Sequence, residues 1–94
     1  MELGEFISAP YAGKMMADMG ADVLKVERPR VGDEARRHGP FLHDVPHLER
    51  SGLFLYLNTS KRSVTLDLET ATGRDIFLEL CRHVDVLIEN RQPA

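Results

Sequence analysis

A guanidinium placed where a buried strand stops is a natural receptor for an anion, and Arg28 holds such a place. The stretch Gly20-Ala21-Asp22-Val23-Leu24-Lys25-Val26-Glu27-Arg28-Pro29 reads as a helix end, a short apolar strand and then an arginine. Ligands of open α/β sheets bind just beyond the carboxyl ends of the strands. Arginine offers a planar, permanently charged fork suited to phosphate. Other candidate positions are also strand ends. Ser8 lies in the first strand-to-helix turn, where main-chain N–H groups can meet an anion or an adenine edge. Leu66 to Glu69 and Asn90-Arg91 follow later strands. Parallel strands would bring these ends to one rim. Each position reads equally as a cap, a turn or a surface ion pair, and the residues alone favour that plainer reading.

Other chemistries find less support. No Ser-His-Asp or Cys-His arrangement has a recognisable local signature. No Walker-type phosphate loop and no G-x-G-x-x-G after a strand is present. Arg28, Arg30, Arg36, Arg37 and Arg50 cluster in a long Pro- and Gly-rich stretch, 28–50, read as a loop. This is either an anion-binding loop or a solvated surface, and charge alone favours the second. His38, His43 and His47 match no zinc spacing, so no metal site is expected. A net charge of −3 argues against nucleic-acid or membrane-surface binding. No apolar run is long enough to span a bilayer, and Met1-Glu2-Leu3-Gly4-Glu5 lacks the features of a signal peptide. The lone Cys81 fits a reducing, cytoplasmic setting.

The elements that must position these residues follow a strand–helix alternation. Glu2-Leu3 reads as the tail of a strand. From Pro10 the pattern is helical, with Ala12, Met15, Met16 and Met19 on one apolar face, read as core. Gly20 ends that helix. Val23, Leu24 and Val26 form a strand covered on both faces. Lys25 interrupts it, implying an edge position or a snorkelling side chain. Leu53 to Leu57 is expected as a short helix capped by Ser51. Ser63 to Leu68 alternates like a strand. Thr70 caps a helix to about His83, with Ile76, Phe77, Leu80 and Cys81 on its inner face. Val84 to Ile88 is a final strand. Strand, helix and strand here form a βαβ unit with parallel strands. The expected class is α/β, a partial parallel sheet of about three strands with flanking helices.

Three blocks then resemble one family. They are Ser8-Ala9-Pro10-Tyr11-Ala12-Gly13 with Met15 to Pro29, Gly32-Asp33 and Arg36-Arg37; Leu57-Asn58-Thr59-Ser60-Lys61-Arg62-Ser63-Val64-Thr65-Leu66-Asp67-Leu68; and Thr70 to Asn90. In order and spacing they are similar to the N-terminal part of family III CoA-transferases, the formyl-CoA and carnitine CoA-transferase group that includes α-methylacyl-CoA racemase. The resemblance implies that residues 1–94 are the N-terminal part of a Rossmann-like large domain. It implies coenzyme A and acyl-CoA as substrates, a carboxylic acid acceptor, no covalently bound cofactor, and an interlocked homodimer for the full-length protein. The family's aspartate nucleophile forms an acyl anhydride and matches no Asp of this chain, so no catalytic residue is assigned and the chain alone is expected to be inactive.

By position, the resemblance places Ile7 and Ser8 at the nucleotide end of CoA, and Arg28 near its adenosine and phosphates. It places Leu66 to Glu69 at the adenine, and Asn90 and Arg91 beside pantetheine and diphosphate. The chain departs from the family at Glu69, often lysine; at Ala9, commonly glycine; and in Asn90-Arg91-Gln92-Pro93-Ala94, which lacks the aromatic and the glycine of the usual Asn-Phe-x-Pro-Gly. An acyl-CoA racemase of the same family and a non-catalytic interaction module remain as alternative readings. A chain this short buries only about 60–65% of its unfolded surface, so dimerisation or marginal folding is expected.

Overall fold

The computed structural model describes residues 1–91. Four strands, β1 (Glu2–Leu3), β2 (Leu24–Glu27), β3 (Arg62–Thr65) and β4 (Ile88–Glu89), form one sheet in the order β3-β2-β1-β4. Every pairing is parallel. Parallel neighbours need crossovers, and these contain α1 (Ser8–Asp18), α2 (Gly52–Leu57) and α3 (Ala71–Cys81). The expected α/β class holds, with four strands where about three were expected. β3 and β4 are parallel, as the βαβ pattern implies. They lie at opposite edges, however, so the connection through α3 crosses two intervening strands. The final strand is shorter and later than Val84 to Ile88. Its pairs are Glu2 with Ile88 and Leu3 with Glu89, because β1 offers only two residues to pair with.

Local signals account for the helix ends. The Ser51 hydroxyl accepts from Phe54 N–H at 3.1 Å and caps α2. The Thr70 hydroxyl accepts from Gly73 N–H at 3.0 Å and caps α3. Gly20 has φ +106°, a left-handed value that suits glycine, and the N–H groups of Gly20 and Ala21 return to the carbonyls of Ala17 and Met16.

Two expectations for the core are corrected. In α1 the buried residues are Ala9, Pro10, Gly13 and Ala17, not the methionine stripe. Met15 and Met16 are exposed, and Met19 is 84% exposed. The helix packs its small side chains on the sheet because it lies very close to β1: a Cβ at Gly13 would collide with Glu2 Oε1. In α3, Phe77, Leu80 and Cys81 are half-buried while Ile76 is exposed. All four residues of β3 are exposed, so its alternation does not mark a covered face.

The third correction concerns Lys25. It neither snorkels nor marks an edge, since β2 is interior and Lys25 is 1% exposed. Its Nζ meets Glu2 Oε2 at 2.6 Å, Asp33 Oδ2 at 2.7 Å and the Gly4 carbonyl at 3.3 Å. Glu2 Oε1 pairs in turn with Lys61 Nζ at 2.6 Å. Lys61 also donates to the carbonyls of Pro10 and Leu57 and to Asn58 Oδ1. Burial pushes the Lys61 ammonium below the usual lysine range, against the opposing pull of Glu2. Two buried cations and two buried carboxylates thus balance. The lysine that looked like a break in an apolar strand is the hub of this arrangement.

Removing one partner of a buried ion pair leaves an uncompensated charge, at a cost of about 3–5 kcal/mol. Lys25→Ala should lower the unfolding free energy by that amount in urea titrations. Met19→Gln, on the solvent side of α1, should change it by less than about 0.5 kcal/mol.

Candidate functional site

The carboxyl ends of all four strands open on one cleft of about 560 Å³. Five of the residues singled out from the sequence line it: Arg28 after β2, Leu66 and Glu69 after β3, and Asn90 and Arg91 after β4. Arg28 and Asn90 therefore share one rim. Ile7 and Ser8 do not line the cleft. Ile7 is the residue before α1 and is exposed, with no side-chain cap. Ser8 is the first helical residue, two positions earlier than the sequence pattern suggested, and its hydroxyl accepts from Asn90 Nδ2 at 2.8 Å.

Asn90 grips the turn between β1 and α1. Its Nδ2 also donates to the Glu5 carbonyl at 2.9 Å, and its Oδ1 accepts from Glu5 N–H at 3.1 Å. Most of its hydrogen-bonding capacity is thus spent on the protein. Arg28 is half-exposed and restrained: its Nη2 lies 2.7 Å from Glu5 Oε1 and 3.2 Å from the Gly32 carbonyl. Its remaining donors are available to a ligand. Arg30 also lines the cleft, in a left-handed conformation with φ +66°. Arg28 and Arg30 follow β2 and Arg91 follows β4, while Glu5 follows β1 and Asp67 and Glu69 follow β3. The rim therefore carries cations and carboxylates side by side, with Asp67 and Glu69 grouped at the β3 end.

The arginine cluster of 28–50 divides by role. Arg36 turns inward. Its Nε and Nη2 donate to the two oxygens of Glu27 at 2.8 and 2.9 Å, and its guanidinium stacks 3.7 Å from the Phe54 ring centre. Arg37 pairs with Glu34 at 3.1 Å and donates to the Val31 carbonyl. Only Arg28 and Arg30 of the cluster face the cleft.

Glu27, the last residue of β2, anchors the loop that carries them. It accepts from Arg36, from Asp33 N–H at 2.9 Å and from the Ser63 hydroxyl at 3.1 Å. Burial opposes ionisation of Glu27. The bonds from Arg36, Asp33 N–H and Ser63 outweigh it and hold the carboxyl below the ordinary glutamate value of 4.5. The same contact with Glu27 holds the Arg36 guanidinium more firmly protonated. Glu5, Glu27 and Asp33 are the participants that sequence reasoning missed. The signal available for Asp33 was its place two residues before Ala35, whose N–H it caps at 2.8 Å. Gln92, Pro93 and Ala94, part of the stretch that departs from the family's usual ending, lie outside the described residues.

The comparisons agree with one another. The model of CoA-transferase family III matches residues 1–94. A succinyl-CoA:(R)-benzylsuccinate CoA-transferase subunit of Thauera aromatica is 44% identical over 85 residues, covering 90% of this chain and 20% of that protein. A formyl-CoA:oxalate CoA-transferase of Escherichia coli is 42% identical over 87 residues, covering 93% and 20%. A CAIB/BAIF family protein from Brucella suis superposes with a TM-score of 0.76 at 34% identity, over 97% of this chain and 25% of its own. The chain thus spans about a fifth to a quarter of the length of these relatives. Among the described residues, no helix is long and apolar enough to cross a membrane.

The depressed Glu27 value gives a signed prediction. A carboxyl whose folded value lies below its unfolded one stabilises the fold above the unfolded value, and that contribution fades as pH falls through the folded value. Stability should therefore decline as pH drops below about 4.5. Glu27→Gln should be less stable at neutral pH by about 1–3 kcal/mol and should show a shallower acid decline in pH-dependent melting.

Proposed function

This chain belongs to CoA-transferase family III, and from that premise we propose that it is the CoA-binding N-terminal part of the family's Rossmann-like large domain. The parent activity is transfer of CoA between carboxylic acids, with acyl-CoA as donor and a carboxylic acid as acceptor. The observation that carries this reading is the convergence of Arg28, Arg30 and Arg91 on one cleft at the strand ends. Three guanidiniums suit a ligand with several phosphates.

The carboxylates at the β3 end orient that ligand. Phosphates rest on the Arg28 and Arg30 side. Leu66 to Glu69 face the adenine, where the Glu69 carboxylate accepts from an exocyclic amine and repels phosphate. Asn90 and Arg91 flank the diphosphate and the start of pantetheine. Ile7 and Ser8 contribute through the turn they occupy, which Asn90 holds from the β4 side.

The nucleophile is an aspartate outside this chain. Its carboxylate attacks the thioester carbonyl, the CoA thiolate leaves, and a mixed anhydride remains on the enzyme. The role of these 94 residues is to hold the nucleotide end of CoA, so that the departing thiolate stays near the anhydride it must meet again. The relatives are named as transferases, which favours group transfer over the proton transfer of a racemase. The reading includes a homodimer and a cytoplasmic setting. Exposed apolar side chains on α1 and α2, among them Met15, Met19, Leu55 and Tyr56, supply surface for a partner subunit.

Isothermal titration of the chain with CoA and ADP tests the reading. Arg28→Ala should weaken binding of both by about 1.5–3 kcal/mol, roughly ten- to a hundredfold. Equal affinities would remove Arg28 from the site, and absence of binding by the unaltered chain would overturn the proposal.

A further inference from the structure

The two walls of the cleft belong to different parts of the chain. One is the turn between β1 and α1, with Gly4 and Glu5; the other is the loop after β2, with Arg28 and Arg30. A ligand that touches both senses the distance between them. The buried residue that joins them is Asp33. Its side chain is fully buried. Oδ1 accepts from Phe6 N–H at 2.8 Å, in the first wall, and from Ala35 N–H at 2.8 Å, at the end of the second. Oδ2 pairs with Lys25 in the floor at 2.7 Å. One carboxylate thus ties together segments 27 residues apart.

Two further observations support this role. Phe6 adopts φ +69°, a left-handed conformation that a bulky side chain rarely takes, so its position needs a tether. Glu5, the next residue back, repeats the connection at the surface: its Oε1 receives Arg28 Nη2 at 2.7 Å and Glu34 N–H at 3.0 Å. The outer carboxylate holds the arginine and the inner one holds the backbone beneath it.

We infer that Asp33 is a positioning residue of the cleft: by accepting from Phe6 and Ala35 through one oxygen, it sets the spacing between the Gly4-Glu5 turn and the arginines Arg28 and Arg30. This rests on the CoA-binding reading for its ligand, while the tether itself concerns the protein alone. Asp33 does not touch the ligand. Its effect should therefore appear with ligands that span both walls and vanish with those that meet only the arginines.

A pair of double variants isolates Oδ1. Lys25→Met with Asp33→Asn removes the buried ion pair and keeps an acceptor at Oδ1. Lys25→Met with Asp33→Ala removes the same charges and the acceptor. Both leave Glu2 paired with Lys61, so the buried charge stays balanced. CoA, which runs from the arginines past the β1 end to Asn90 and Arg91, should bind the Asn double variant within about threefold of the unaltered chain, and the Ala variant at least about tenfold more weakly. Pyrophosphate, which can engage only the arginine wall, should bind the two variants within about twofold of each other. Amide hydrogen exchange at Phe6 should be at least about tenfold faster in the Ala variant than in the Asn variant.

Equal CoA affinity and equal Phe6 exchange in the two variants would overturn the inference, as would a parallel loss of pyrophosphate binding. In the unaltered chain, Phe6 N–H should exchange no faster than the amides of β2. Free exchange there overturns the tether without any variant. Failure of the unaltered chain to bind ADP or CoA would instead count against the CoA-binding reading, and the exchange measurements would still decide the role of Asp33.

Discussion

Burying an ion costs several kcal/mol even after relaxation, and the cost is recovered only when partners lie at close range with their remaining donors and acceptors satisfied. Glu2, Lys25, Asp33 and Lys61 meet the first part of that condition together, with ammonium–carboxylate distances of 2.6–2.7 Å. Glu2 and Lys25 are direct partners in the β1–β2 register. Sliding β1 by one residue would turn Glu2 to the opposite face and strand a carboxylate without its ammonium. β1 has only two residues in the sheet, too few for its backbone bonds alone to define a register. Charge pairing supplies the specification that a longer hydrogen-bond ladder would otherwise provide. It also ties in the loop after β2 through Asp33 and the end of α2 through Lys61.

The cleft inherits its shape from this core. The β1–α1 turn is gripped from one side by Asn90 and from the other by Asp33. The loop after β2 is pinned at its base by Glu27 and Arg36, with Phe54 of α2 stacked on the guanidinium. Most of the polar side chains near the cleft therefore organise its frame. Arg28, Arg30 and Arg91 are left to present positive charge to the opening. The division resembles that of many binding sites, where a few contact groups rely on a larger set of oriented neighbours.

The parts of this arrangement legible in the sequence were those with local causes. Ser51 and Thr70 announced their helices, because a hydroxyl followed three residues later by a free N–H is a short-range signal. Gly20 announced a helix end for the same reason. The placement of Arg28, Leu66, Glu69, Asn90 and Arg91 at one rim followed from parallel strands. What stayed hidden depended on partners distant in the chain. Lys25 looked out of place in an apolar run because Glu2 and Asp33 are not its sequence neighbours. The methionines of α1 looked like core because periodicity marks an apolar face without saying whether anything covers it. The helix instead turned its small residues inward, where the sheet approaches too closely for larger ones. Arg36 read as a surface cation until Glu27 and Phe54 were seen around it.

β1 lies between β2 and β4, and the amine of Met1 reaches the Val86 carbonyl across 85 positions of sequence. β1 thus takes one neighbour from near in the sequence and the other from residues 88 and 89. β2 and β3 can pair across a far smaller separation, with four matched residues. Closing a long loop carries a larger entropic cost than closing a short one, so the β1–β2 and β2–β3 pairs can both form before β4 joins β1 across the longest separation. During synthesis, the second flank of β1 cannot be supplied until residues 88 and 89 have left the ribosome. β4 is therefore the last of the described strands to join, and only then is β1 flanked on both sides.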